Sequence, residues 1–127
     1  MQLRTGLIVL GLLWLSSPLA GQRRVDPCRN PQTHADARDC VGREYEAVDR
    51  EMAAAYQRLR ARLDAGRKEK LRKAQLAWIQ FRDRQCEYEA SAGGGGTIES
   101  DFRLSCLITV TQERTRQLRE MIGREID

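Results

Sequence analysis

Four cysteines are the residues of this chain whose type and spacing offer the most chemistry. Cys28, Cys40, Cys86 and Cys106 could form disulfides, hold a metal or act as redox thiols. His34 lies midway between the first two, in the pattern C-x5-H-x5-C. Zinc ligands usually pair about two to four residues apart, so this spacing does not favour zinc. We therefore expect two disulfides, no metal site and no cofactor.

Acid–base or nucleophilic catalysis has little support in the remaining reactive side chains. His34 is the single histidine, and we expect it to be a solvated residue at a helix start. Glu87 and Glu99 could form a carboxylate pair of the kind that cleaves glycosides. Both lie in an exposed acidic segment, however, which offers no apolar pocket for a general acid. The sequence therefore predicts a protein that is not an enzyme.

Four consecutive glycines, residues 93–96, follow a charged segment that contains Cys86. A phosphate-binding loop needs a lysine and then a serine or threonine directly after its last glycine. The residues that follow this run are TIE, so a phosphate-binding loop is not expected. We interpret the glycines as a pliable turn between two helices, with Cys86 and Cys106 able to hold its two ends.

Apolar residues recur at three- and four-residue steps along three segments, which predicts three helices and no strand. The expected helices span residues 33–66, 67–93 and 98–123. Thr33 and Asp36 are expected to cap the first helix, and Thr97 the third. Apolar positions expected to face inward include Trp78, Phe81, Tyr88 and Phe102.

A short first connection and a glycine-rich second one predict an all-α fold, an antiparallel up-down-up bundle of three helices. This topology brings all four cysteines to one end of the bundle. Three pairings remain open, and the local one, Cys28 with Cys40 and Cys86 with Cys106, demands least of the chain. Each local bridge would contribute about 3 kcal/mol in the chain-entropy model.

The first twenty residues have the layout of a secretory signal peptide. Arg4 precedes an apolar run at residues 7–15, which is much shorter than the roughly 20 residues of a membrane span. Cleavage is expected after Ala20 or Gly21, with no cysteine at the cut to accept a lipid. Removing 20 of the 127 residues leaves 107. We expect these, residues 21–127, to form one domain that is secreted or periplasmic and does not span the membrane.

Charge is distributed unevenly along the chain, although the net charge is only +4. Residues 58–73 hold eight basic and two acidic side chains, a net +6 at the expected tip of the first hairpin. Residues 86–101 hold four acidic side chains and no basic one.

Each charged segment suggests a different partner. The basic hairpin, residues 58–73, is a candidate contact for anionic lipid or polymer of the cell envelope, and the acidic segment for a cationic protein. Nucleic acid is not expected, because an exported chain with few aromatic residues has little with which to stack bases. The candidate partner-binding residues are Glu87, Tyr88, Glu89, Thr97, Glu99 and Asp101.

Three motifs, in order and at fixed spacing, resemble those of the LprI-type lysozyme inhibitor family of secreted bacterial proteins. Asp49 and Tyr56 fit its D-x-x-L-N-x-x-Y element, with Met52 and Ala53 in place of the leucine and asparagine. LRKAQLAWIQFRDRQC, residues 71–86, is similar to L-x-x-A-Q-x-x-W-x-x-[FY]-R-D-x-x-C. Cys106 with TQERTRQL, residues 111–118, resembles the closing C-x4-T-x-x-R-T-x-x-L.

The resemblance covers residues 28–118 and implies a disulfide-linked helical bundle that binds or inhibits lysozyme. The alternative function is a non-inhibitory envelope module that uses the basic hairpin. We expect the motif side chains to be structural, with Trp78 and Phe81 in the core and Arg82, Asp83 and Arg114 paired with Asp49 or Glu113. The motif residues that we expect to be structural are Asp49, Tyr56, Gln75, Trp78, Arg82, Asp83, Thr111 and Arg114.

Overall fold

Three long helices make up most of the part of the chain, residues 26–125, that the computed structural model describes. They are α1 (His34–Arg60), α2 (Ala65–Ala90) and α3 (Gly96–Arg124), with short 3-10 turns at Pro27–Arg29 and Ser91–Gly93. They form the predicted up-down-up bundle, and no strand occurs within the described residues. The predicted signal peptide, residues 1–20, lies outside them.

Polar caps explain where the first two helices begin. Thr33 and Asp36 form the predicted capping box, in which each side chain accepts a hydrogen bond of 3.0 Å from the other residue's backbone N–H. The Asp64 carboxylate accepts a bond of 3.0 Å from the Arg67 N–H, which fixes the start of α2. Gly66 therefore lies in the first turn of α2, and the prediction that it ends α1 is wrong.

The remaining helix boundaries also differ from those expected. α2 ends at Ala90 rather than at Gly93, because residues 91–93 tighten into a 3-10 turn. Gly95 precedes α3 without any side-chain cap. Thr97 is already inside the first turn of α3, so the prediction that it caps this helix is wrong. At the other end α3 continues through Gly123 to Arg124.

α3 packs along both other helices, and the core consists of two clusters. One cluster, close to the α1–α2 connection, consists of Met52, Ala55, Leu59, Leu63, Leu71 and Leu118. A second, smaller cluster consists of Cys86, Cys106 and Leu107. Burying a large apolar side chain stabilises the fold by about 1.5–3 kcal/mol, so these residues hold the helices in place.

Three aromatic residues that were expected to face inward are exposed. Phe81 keeps 56%, Tyr88 76% and Phe102 48% of its accessible surface, so the expectation for these positions is wrong. For Phe81 and Tyr88, which are on α2, the reason is that polar side chains, Gln75 and Arg82, occupy the inner face of this helix. The buried face is therefore rotated away from the apolar stripe. Trp78 is half-buried against the larger core cluster.

Candidate functional site

Both disulfides lie at one end of the bundle, which we call the disulfide pole (residues 28–40 and 86–106). Cys28 bonds to Cys40 with an S–S distance of 2.10 Å, and Cys86 to Cys106 with 2.05 Å. The Arg38 guanidinium lies 3.3 Å from the Asp101 carboxylate, which links the start of α1 to the start of α3. The structure therefore has the local pairing, the least demanding of the three.

The glycine run forms the expected turn between α2 and α3. At each of its four positions the backbone geometry disfavours a residue with a Cβ. A Cβ at Gly93 would lie 2.8 Å from the backbone N and Cα of Glu99. Gly94, Gly95 and Gly96 have φ values of 71°, 100° and 70°, which residues with a Cβ avoid. Close approach at Gly93 and positive φ at the other three positions account for the four glycines.

The four acidic residues between residues 86 and 101 fall into two groups. Asp101 is neutralised by its ion pair with Arg38. Glu87, Glu89 and Glu99 have no basic partner within 4.0 Å among the described residues, although Glu89 accepts a bond of 2.7 Å from the Gln85 amide. The acidic surface is thus smaller than the sequence indicates.

Basic side chains border this acidic surface on one side. Arg84 and Arg103 line a shallow groove together with Glu87 and Asp83. Long basic side chains from neighbouring turns therefore reach the pole, although the segment between residues 86 and 101 contains none. These two arginines lie just outside residues 86–101, so the charge of that segment alone did not include them.

Large apolar side chains are exposed among these charges. Tyr88 is 76%, Ile98 57% and Phe102 48% exposed, and the three lie on either side of the glycine turn. Phe102, Ala92 and Val110 line a groove of about 450 Å³ with Glu89 at its edge. A groove with apolar walls and one carboxylate suits a long cationic side chain, whose stem is apolar and whose head is charged.

Two residues of this surface, Ile98 and Phe102, were missed as candidates by the sequence analysis. Their i, i+4 spacing just after the glycine run would have placed both on one face of α3, at the exposed end of the bundle. Thr97 lies between them and the turn, is exposed, and has no side-chain hydrogen bond among the described residues.

The motif residues lie outside the pole, where they join the three helices. The Trp78 ring lies between two guanidinium groups, with its centroid 5.4 Å from Arg82 Cζ and 5.7 Å from Arg114 Cζ. Both distances are within the range of cation–π attraction. Arg82 donates to Asp49 at 3.2 Å and to Asp83 at 2.9 Å. These contacts fix α2 against α1.

Arg114 is a buried cation that has no carboxylate partner within the described residues. Its Nε donates to Gln75 Oε1 at 3.0 Å, and its Nη1 donates to Gln117 Oε1 at 3.3 Å. Burial lowers the pKa of this guanidinium below its ordinary value. The expected pairing of Arg114 with Glu113 does not occur, because Glu113 accepts instead from Arg116. Gln75 links all three helices, since its amide also donates to Met52 Sδ of α1 at 2.9 Å.

The remaining motif positions include one unsatisfied group. The Thr111 side chain is fully buried, and its hydroxyl has no hydrogen-bond partner among the described residues. Tyr56 is half-buried at the larger core cluster. Ala53, which replaces the family's asparagine, is exposed beside an apolar groove between α1 and α2. Its methyl group cannot donate a hydrogen bond to either helix.

The opposite end of the bundle carries the basic hairpin, residues 58–73. The Arg67 guanidinium donates to both carboxylate oxygens of Glu125, which joins the start of α2 to the end of α3. These bonds lower the pKa of the Glu125 carboxyl group. The backbone N–H of Arg67 similarly lowers the pKa of the capping carboxyl of Asp64.

Neither a metal centre nor a membrane span is found in the described part of the chain. Histidine, cysteine and acidic side chains do not gather there in groups of three or more that could hold a metal ion. Within residues 26–125 no helix is both long and apolar enough to cross a membrane.

The chain is similar to known proteins over most of its length. The family described as "Lysozyme inhibitor LprI" matches residues 28–118. A protein of Rhizobium meliloti (strain 1021), described as "Uncharacterized protein R02472", is 32% identical over 87% of this chain and 89% of its own length. "Uncharacterized protein YecT" of Escherichia coli (strain K12) is 30% identical over 64% of this chain and 59% of its own length.

No solved structure matches the chain. The family match spans the three motifs and all four cysteines. It agrees with the helical, doubly disulfide-linked architecture described above. The chain therefore belongs to the LprI lysozyme inhibitor family.

Proposed function

We propose that this protein acts outside the cytoplasm as a lysozyme-binding, inhibitor-like protein that meets its partner through the disulfide pole. Membership of a lysozyme inhibitor family supports a protein partner of this class. Two disulfides favour an oxidising compartment, and a signal peptide at residues 1–20 would direct the chain there. Catalysis has no part in the proposal.

The observation that carries the proposal is the exposure of large apolar side chains at the pole. Tyr88, Ile98 and Phe102 are at least 48% exposed. Aromatic anchors surrounded by polar residues dominate the binding energy of many protein interfaces. The glycine turn connects the segments that carry these side chains, with Tyr88 before it and Ile98 and Phe102 after it.

The charge of the pole supports a cationic partner. Glu87, Glu89 and Glu99 carry no neutralising ion pair in the described structure, whereas Asp101 does. Complementary charge mainly raises the association rate and the specificity of binding. The chain as a whole is cationic. A cationic partner would therefore be attracted to this acidic end of the molecule and not to the rest of its surface.

The experiment is a turbidity assay in which lysozyme clears a cell-wall suspension in the presence of increasing amounts of the oxidised mature protein. The test variant combines Glu87→Lys with Glu89→Lys. The matched control combines Glu69→Lys with Glu120→Lys, which makes the same charge change away from the pole. Glu69 and Glu120 are exposed and form only local ion pairs on their own helices.

We expect the wild type and the control to protect the cell walls at about one equivalent, and the pole variant to protect them poorly. Equal protection by all three proteins would place the lysozyme contact away from the acidic pole. No protection by the wild type at large excess, with lysozymes of several classes, would refute inhibition by this protein.

A further inference from the structure

We propose that the end of the bundle opposite the disulfide pole holds a second binding site, a cup that takes an anionic phospholipid. The cup is formed where the α1–α2 connection, the start of α2 and the end of α3 meet. It does not depend on the proposed lysozyme contact, because it lies at the other end of the helices and shares no residue with that surface.

The floor of the cup is apolar. Leu59, Leu63 and Leu71 are 2%, 8% and 9% exposed, and Met121 packs beside them. Together they line an opening of about 310 Å³ that reaches the larger core cluster. The volume accommodates a short length of hydrocarbon but not a folded protein segment.

The rim of the cup is basic. It is formed by Arg67, Lys70 and Arg124, with Glu125 as the single carboxylate of the lining. Glu125 is held by the Arg67 guanidinium, so its charge is balanced within the rim. Lys70 has no carboxylate within 4.0 Å among the described residues. The rim therefore keeps a positive field, which the surrounding basic hairpin reinforces.

A basic rim above an apolar floor selects a ligand in which an anionic group and an apolar group lie close together. A phosphate group alone would leave the apolar part of the opening unfilled. A zwitterionic lipid would gain little from the excess positive charge. An anionic phospholipid places its phosphate at the rim and the first carbons of an acyl chain on the floor. Each basic residue close to an anionic membrane contributes about fivefold in binding.

The first test follows the methionine methyl groups by NMR in protein labelled with ¹³C at these positions. Met121 lines the cup, whereas Met52 lines the separate groove between α1 and α2 and serves as an internal control. The probes, used below their micelle concentrations, are dihexanoyl phosphatidylglycerol, dihexanoyl phosphatidylcholine and glycerol phosphate.

We expect phosphatidylglycerol to shift the Met121 resonance in a saturable manner and to leave Met52 unchanged. Phosphatidylcholine and glycerol phosphate should have little effect on either residue. The proposal is overturned if Met121 does not shift, if it shifts equally with phosphatidylcholine or glycerol phosphate, or if Met52 shifts as much as Met121.

The second test measures binding to phosphatidylglycerol vesicles by flotation. Lys70→Gln should weaken binding about fivefold. Lys73→Gln, an equal charge change on the same helix, should weaken it less than about twofold because Lys73 does not line the cup. Equal losses in the two variants would indicate a diffuse electrostatic attraction and would overturn the cup.

Discussion

Replacing Gly93 by alanine tests whether the glycine turn is held by close packing. The new Cβ would lie 2.8 Å from the backbone N and Cα of Glu99, and neither atom can move without shifting the start of α3. Overpacking of this kind costs about 1–3 kcal/mol. For a domain of this size, a loss of about 2 kcal/mol lowers Tm by about 8–16 °C.

Gly42→Ala is the matched control, because the same methyl group is added where nothing lies within 4 Å. Gly42 is inside α1, and alanine stabilises a helix interior by about 0.5–1 kcal/mol relative to glycine. Thermal unfolding followed by circular dichroism at 222 nm, a helix-sensitive wavelength, would report both changes. The two variants should therefore shift Tm in opposite directions.

The reasoning would be refuted if Gly93→Ala left Tm unchanged or raised it as Gly42→Ala does. A pliable turn would give that result, since it could move away from the added methyl group. If Tm falls as expected, the same variant should also bind lysozyme more weakly. The added methyl group would displace the first turn of α3, which carries Glu99 of the proposed contact surface.

Three further predictions concern the disulfides, the core and acid stability. Replacing both Cys86 and Cys106 by alanine opens a bridge of sequence separation 20 and should cost about 3 kcal/mol, measured by urea unfolding against the wild type. Leu118→Ala should cost about 2–5 kcal/mol, whereas Phe81→Gln, at an exposed position, should change stability by less than about 0.5 kcal/mol; a large loss in the Phe81 variant would contradict its exposed placement. The Asp64 carboxylate caps α2 with a pKa below its ordinary 3.8, so its contribution is present above that pH and is lost as the pH falls towards the lowered value. Asp64→Asn, which can still cap but does not titrate, should reduce the loss of Tm between pH 5 and pH 2, and an unchanged pH profile would contradict this role.

The sequence was sufficient to predict the helical class, the topology and the Thr33 cap because these depend on local patterns. The spacing of apolar residues predicts the three helices. The short first connection and the glycine-rich second one predict their antiparallel order. The pairing of Cys86 with Cys106 was favoured for its short loop, and the structure has that pairing. The end of the first helix was wrongly predicted at Gly66. The Asp64 carboxylate caps α2, so this helix has already begun before Gly66.

The side chains of α2 could not be assigned from periodicity alone. Arg82 and Gln75 are buried because partners on other helices satisfy them. Arg82 contacts Tyr45 and Asp49 of α1, and Gln75 accepts from Arg114 of α3. All three partners are distant in sequence. Their burial rotates Phe81 and Tyr88 outwards. The candidate surface was therefore predicted only in part. Its acidic residues were visible as a run, whereas the neutralising contact of Asp101 depends on Arg38 from another helix.

Calorimetric titration of lysozyme into the oxidised mature protein tests the central claim most directly, because it measures stoichiometry and affinity together. We expect one-to-one binding whose affinity weakens as salt rises and falls at least about tenfold in Tyr88→Ala, as for an exposed aromatic anchor. Absence of binding, or binding of equal strength in the wild type and in Tyr88→Ala at every salt concentration, would contradict it.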